Sequence, residues 1–191
     1  MNIYAGIGSR RLNQNELAFC RIVGEMLAKE GYILRTGAAV GADQAFAEGA
    51  GRVPGSTVAL MLPWKGYEDK WVNHFQKDSL GEVFTYVLQD SDVAAHQSVK
   101  LYHPKPEALK EGAKKLHARN FLIIMGRAGK MPVDFCVGWP KVNQWGKMGG
   151  TGFGLTICNR RNIPIRDLEF SEIAEAAKNW ISDQLTTQKA A

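Results

Sequence analysis

The chain has 191 residues, 45% hydrophobic and 23% charged, with a formal net charge of +5. That size and balance suit one globular domain with a sizeable core. No run approaches the ~20 apolar residues that span a bilayer. Residues 1–5 lack the basic-then-apolar pattern of a signal peptide. Cys20, Cys136 and Cys158 form no C-x-x-C pair, so neither a zinc site nor a disulfide framework is indicated. The expectation is a cytoplasmic protein with buried thiols, no membrane partner and no metal. Its positive charge suits an anionic partner, whether nucleotide or nucleic acid.

Residues 2–5 read as a short strand running into Gly6-Ile7-Gly8-Ser9-Arg10. From 13 to 29, Leu17, Cys20, Val23 and Leu27 recur at helical spacing, with Asn13 or Asn15 as cap and Gly31 as stop. A second strand, 32–34, enters Thr36-Gly37-Ala38-Ala39-Val40-Gly41-Ala42-Asp43. A short helix with Ala42, Ala45, Phe46 and Ala50 follows, and then a third strand over 56–62. Strand and helix in alternation predict a doubly wound, mainly parallel, Rossmann-like α/β sheet with helices on both faces. Residues 64–104 are expected to form an insertion over one edge or over the pocket, with 82–88 a strand or a helical turn. A long helix is expected over 106–125, a strand over 133–137, a helix over 151–159 and a strand over 163–165. A last helix is capped by Ser171 and carries Ile173, Ala177, Trp180 and Leu185. The whole chain, 1–191, reads as one domain.

In open parallel sheets, ligands collect beyond the carboxyl ends of the strands, where the strand order reverses. Three Gly-rich segments fall at such ends: 6–10, 36–43 and 149–152. Glycine lets backbone N–H groups approach an anion, and a helix start adds oriented donors and partial positive charge. Ser9, Thr36 and Thr151 can add hydroxyl donors, and Arg10 a charged fork. None of the loops has the G-x-x-x-x-G-K-[ST] spacing of an ATPase, and no dinucleotide fingerprint is present.

Gly6-Ile7-Gly8-Ser9-Arg10, then Gly37-Ala38-Ala39-Val40-Gly41-Ala42-Asp43 with Ala45 and Gly49-Ala50, resembles the opening of the SLOG superfamily. That group contains the DNA-processing protein DprA (Smf) and the Lonely Guy phosphoribohydrolases. Thr36 stands where that pattern usually has serine. His117-Ala118-Arg119-Asn120 resembles the Arg-Asn of DprA-like proteins. Gly149-Gly150-Thr151-Gly152, leading to Asn162-Ile163-Pro164-Ile165, resembles the closing phosphate loop and last strand. Pro63-Trp64 looks like small members from phages and bacteria. The resemblance covers most of the chain outside 64–104 and implies a homodimer. Lonely Guy enzymes carry a catalytic glutamate in their Gly-rich loop, whereas residues 149–156 contain no acid.

Three functions follow as expectations. The first is binding of a nucleotide or nucleotide-derived ligand. Gly8, Ser9 and Arg10 hold its phosphate; Thr36, Gly37, Ala38 and Asp43 form the opposite wall, with Asp43 accepting from a ribose hydroxyl or capping its helix; Arg119, beside Asn120, pairs with phosphate or with a carboxylate; and Gly150, Thr151 and Gly152 complete the cradle. The second is cleavage of the N-glycosidic bond of a nucleoside 5'-monophosphate. That reaction needs a carboxylate near the anomeric carbon, with Asp43, Glu48 and Asp134 as candidates. The third is single-stranded DNA binding, with Trp64, Tyr67, Trp71 and Trp145 available to stack bases. No cofactor is expected. His74, His96, His103 and His117 lack metal-ligand spacing; His117 on the long helix is expected in a surface or packing role, with contact to a ligand beside Arg119 as the alternative.

Overall fold

The computed structural model describes residues 2–142 and 149–169. The expected helix behind Ser171 and the loop residue Trp145 lie outside the described residues. Six strands form one sheet: β1 (Ile3–Gly8), β2 (Ile33–Thr36), β3 (Thr57–Leu62), β4 (Glu82–Val87), β5 (Phe135–Trp139) and β6 (Ile165–Asp167). All pairings are parallel and the order is β4-β3-β2-β1-β5-β6. The chain winds outward from β1 to β4, returns to lay β5 on the other side of β1, and then adds β6 beside β5. The order therefore reverses between β1 and β5, where such sheets open a crevice at the carboxyl ends of their strands.

Successive strand residues face opposite sides, and the core divides accordingly. Tyr4, Leu34, Val58, Leu60 and Val137 face α1 (Gln14–Lys29), α2 (Ala42–Ala50) and α3 (Asp69–Asp78). Ile3, Ala5, Ile7 and Cys136 face α4 (Val93–Tyr102), α5 (Glu111–Met125) and α6 (Gly149–Arg160). This is the expected doubly wound α/β arrangement.

Local signals explain where α1 and α2 begin. Asn13 caps α1 with a reciprocal box: its side chain accepts from Glu16 N at 3.0 Å, and Glu16 accepts from Asn13 N at 2.6 Å. Gly41 opens α2 at φ 101, and a Cβ there would press on the Arg10 backbone, so the strand-to-helix turn requires glycine.

The stretch 64–104, expected as an insertion, instead continues the sheet: it contains α3, β4 and α4, with β4 paired along β3. β4 is an edge strand whose Glu82, Phe84 and Thr85 are exposed, so it lacks the apolar run of a central strand. The helix expected over 106–125 is divided. A short 3-10 turn spans Pro106–Ala108, and Leu109 is extended before α5 begins.

Candidate functional site

The carboxyl ends of β1 and β5 open into a cavity of about 490 Å3. Its walls come from five places, one of them the segment between β2 and the start of α2, which supplies Ala39 and Asp43. The loop after β1 supplies Gly8, Ser9, Arg10 and Arg11, and the loop after β5 supplies Lys141 and Val142. The first turn of α6 supplies Gly149, Gly150 and Thr151. One face of α5 supplies Ala113, Leu116, His117 and Asn120, spaced so that all four share a stripe. The first N–H groups of a helix have no intrahelical acceptor. The start of α6 therefore brings donors and partial positive charge to a wall that already carries Arg10, Arg11 and Lys141.

The loop after β1 is fixed from both sides. Ser9 N donates to Trp139 O at 2.9 Å, and Ala42 N donates to Ser9 O at 3.2 Å. Ser9 Oγ accepts from Arg11 N at 3.1 Å, which tightens the turn. Arg10 reaches across to the Tyr67 hydroxyl at 3.0 Å, and Lys141 pairs with Glu16 at 2.7 Å. On the far side of the cavity, Asn120 Nδ2 donates to Gly150 O at 2.9 Å and ties α5 to the start of α6.

Beneath the rim lies a buried ion pair. Arg119 Nη1 is 3.3 Å from Asp43 Oδ2, and both residues line the cavity. Burial pushes the Asp43 carboxyl above its ordinary range, opposed by Arg119. The Arg119 guanidinium also lies over the Tyr67 ring, 5.8 Å from its centroid. Its Nε is buried without a hydrogen-bond partner among the described residues. The alternative of a helix cap does not hold, since α2 starts with no side-chain cap at Gly41; Asp43 pairs with Arg119 on the cavity wall.

Of the residues singled out in the sequence, Gly8, Ser9, Arg10, Asp43, Arg119, Asn120, Gly150 and Thr151 converge on this cavity. Six others, including two candidate acids, do not line it. Thr36 is fully buried and donates to the Gly6 carbonyl at 2.6 Å, locking β2 to β1. Gly37 is covered by Arg119: a Cβ there would overlap the guanidinium, so this glycine makes room for a side chain of the protein itself. Ala38 is buried, and its carbonyl accepts from Gln44 Nε2 at 3.2 Å. Gly152 lies inside the first turn of α6, where its carbonyl accepts from Thr156. Glu48 points elsewhere, bonded to Arg21 at 2.6 Å and to Trp71 Nε1 at 3.2 Å. The other candidate acid, Asp134, precedes β5 at the opposite end of the sheet and accepts from Ile3 N at 2.7 Å.

The aromatic residues are largely absorbed by packing. Trp71 stacks on Phe75 with centroids 5.0 Å apart, and Tyr67 is buried edge-on against Trp64. Sequence reasoning missed Arg11, Ala39, Lys141 and Val142 as lining residues. His117, for which the sequence offered either contact with a ligand beside Arg119 or a surface or packing role, lines the cavity while packing against His103 and Phe153. The signal for His117 was present in the spacing of Ala113, Leu116 and Asn120 around it.

Among the described residues no cluster of three or more potential metal ligands occurs, and no helix is long and apolar enough to cross a membrane.

Fold and site together define a doubly wound α/β protein with a cation-lined crevice at its switch point. No family model matches the chain, and no curated protein matches it. Among solved structures, it is similar to DNA processing protein A (DprA) from Helicobacter pylori, a structure described for its single-stranded DNA binding mode. The TM-score is 0.57 at 16% identity, over 97% of this chain and 81% of that one. It is also similar to DprA from Streptococcus pneumoniae, with a TM-score of 0.53 at 12% identity, over 95% of this chain and 56% of that one. The chain shares the fold of DprA proteins.

Proposed function

We propose that the protein binds a phosphate-bearing nucleotide in the cavity at the ends of β1 and β5. The observation that carries this reading is the convergence of Arg10, Arg11 and Lys141 with the start of α6 on one cavity. Its volume of about 490 Å3 falls in the range of small-molecule sites. The phosphate is held at the α6 start, as helix N-termini hold anions, and the nucleoside lies along the α5 stripe. Asp43 is the one carboxylate on the wall among the described residues, and Arg119 already holds it. The reading is therefore of binding rather than glycosidic cleavage. Thermal-shift and calorimetric titrations with nucleoside 5'-monophosphates test it. A saturating ligand raises the melting temperature, since binding to the folded state alone can add several kcal/mol. Arg10→Ala with Lys141→Ala weakens binding by at least roughly tenfold, about 1.4 kcal/mol. No shift with any nucleotide overturns the reading.

A second reading is single-stranded DNA binding, favoured by the likeness to the Helicobacter pylori DprA, whose described property that is. The net charge of +5 supports it. Fluorescence anisotropy with a labelled oligonucleotide separates the two readings. DNA binding has an affinity that falls steeply with salt, by a slope set by the phosphates neutralised. A free mononucleotide that binds equally well in the presence of excess oligonucleotide would remove this second reading.

A further inference from the structure

The cavity lining has two unlike parts, which meet where Asn120 is bonded to Gly150. One is cationic, with Arg10, Arg11, Lys141 and the start of α6. The other is the α5 stripe, where the lining is Ala113, Leu116 and His117. His117 is only 9% exposed and is packed by rings: Phe153 lies 4.6 Å away and His103 4.9 Å away, both between centroids. Its Nδ1 is buried with no hydrogen-bond partner among the described residues. A polar atom left so in a folded interior calls for an explanation.

We propose that His117 is a specificity-determining residue that recognises the base of the bound nucleotide, as a neutral imidazole donating a hydrogen bond from Nε2 to an acceptor on the base edge. The inference rests on the nucleotide reading above and adds which part of the ligand lies where.

The geometry argues for the neutral ring. An imidazolium carries two N–H groups and needs two acceptors, and here Nδ1 has none. An unpaired buried N–H is rarer and costlier than an unpaired acceptor. The proton therefore belongs on Nε2, leaving Nδ1 as the bare lone pair. The groups around the ring agree. His103 follows α4, Arg119 is on the same helix, and α6 presents Phe153 from a segment, 149–156, with no charged side chain. Burial, with His103 and Arg119 nearby, brings the His117 pKa down to about 4. A neutral donor on the α5 stripe, about one helical turn before the Asn120–Gly150 bond, suits an uncharged heterocycle, not a second phosphate.

The test compares four nucleoside 5'-monophosphates with ribose 5-phosphate, which keeps the anion and lacks the base. Titration calorimetry is run on the wild type, His117→Phe and His117→Gln. In the wild type the preferred nucleotide binds at least roughly tenfold tighter than ribose 5-phosphate, the scale of a specific hydrogen bond. His117→Phe, which keeps a ring against Phe153, removes most of that increment and leaves ribose 5-phosphate affinity unchanged. His117→Gln, whose amide reaches the Nε2 position, restores part of it.

If nothing binds, the nucleotide reading itself fails. If nucleotides bind but His117→Phe keeps the increment, only the present inference fails. A wild-type measurement covers the case in which the variants do not fold. The base increment stays constant from pH 8 to about 5.5, since the imidazole is neutral throughout; a collapse near pH 6.5 overturns the inference. The phosphate titrates in the same range, but it is common to all five ligands and cancels.

Discussion

Two arginines lie buried in this protein, each only 3% exposed, and they are used differently. Arg35 leaves β2 for the last turns of α5 and donates from Nη1 to Met131 O at 3.0 Å and Ile123 O at 3.3 Å. Helix-end carbonyls carry partial negative charge and lack intrahelical donors, so this guanidinium closes the helix. Arg119, higher on the same helix, has one carboxylate partner, an Nε with none among the described residues, and a face on the cavity. A buried cation whose partners are carbonyls of the fold is part of the scaffold. One that keeps donors unspent beside a cavity is held for something that arrives.

The largest test of that contrast is Arg119→Met. It leaves Asp43 buried without its cation, and breaking such a pair costs about 3 kcal/mol. The loss is smaller in acid, where the carboxyl, pushed up by burial, takes a proton, and grows as the pH rises. Adding Asp43→Asn recovers most of the stability, because no lone charge remains. Nucleotide affinity stays lost in both variants. Urea unfolding and calorimetry on the pair decide this, and a double variant that binds normally breaks the contrast.

Arg35→Met has the converse signature. It strands the buried Ile123 carbonyl, removes the part-buried bond to Met131 and costs about 2 kcal/mol, the scale of hydrogen bonds to a charged group. Affinity per folded molecule is unchanged. If affinity falls with stability, Arg35 is not scaffold alone.

The contrast between the arginines was only half legible in the sequence. The loops at 6–10 and 149–151 and the pair Arg119-Asn120 were readable, because a glycine-rich turn between strand and helix has few other uses in this fold. The α1 cap was legible as Asn13 or Asn15; the structure selects Asn13, whose box is completed by Glu16 three residues on. Thr36 and Gly37 looked equally suited to a ligand. They failed because the group that fills their space, Arg119, comes from 82 positions further along the chain than Gly37, and no local pattern reports such a contact. The region 64–104 concealed β4 because an edge strand exposes half its side chains. It concealed α3 because that helix starts after Glu68 in a left-handed turn with no side-chain cap. Lys141 was silent because a lone lysine in a loop has no periodicity.

His117 sharpens the contrast from the uncharged side. Its pKa falls from 6.5 to about 4 on folding, so between those values the unfolded chain takes up a proton that the folded one refuses. Stability is therefore lost as the pH falls through this window, by about 2 kcal/mol between pH 6.5 and 4.5. Unfolding midpoints of wild type and His117→Phe across that range isolate the contribution: the variant lacks this part of the slope. Parallel slopes would mean that the ring is freer to charge than its packing suggests.

Lys141 stands between the two arginines in kind, and it gives the smallest and most direct test. It lines the cavity, as Arg119 does, yet its amine is already paired with Glu16 at 2.7 Å. The same Glu16 oxygen accepts the Asn13 N–H that closes the α1 cap. Glu16→Gln keeps the box, since glutamine serves at that position, but releases the lysine. The stability change is about 0.5 kcal/mol, as for other partly exposed ion pairs. Affinity for nucleotide rises by roughly two- to threefold, because an anion no longer competes with a carboxylate. Its salt dependence steepens, because a freed charge is screened more readily than a paired one. An unchanged affinity would place Lys141 with Arg35, as a cation whose bonds are complete within the fold.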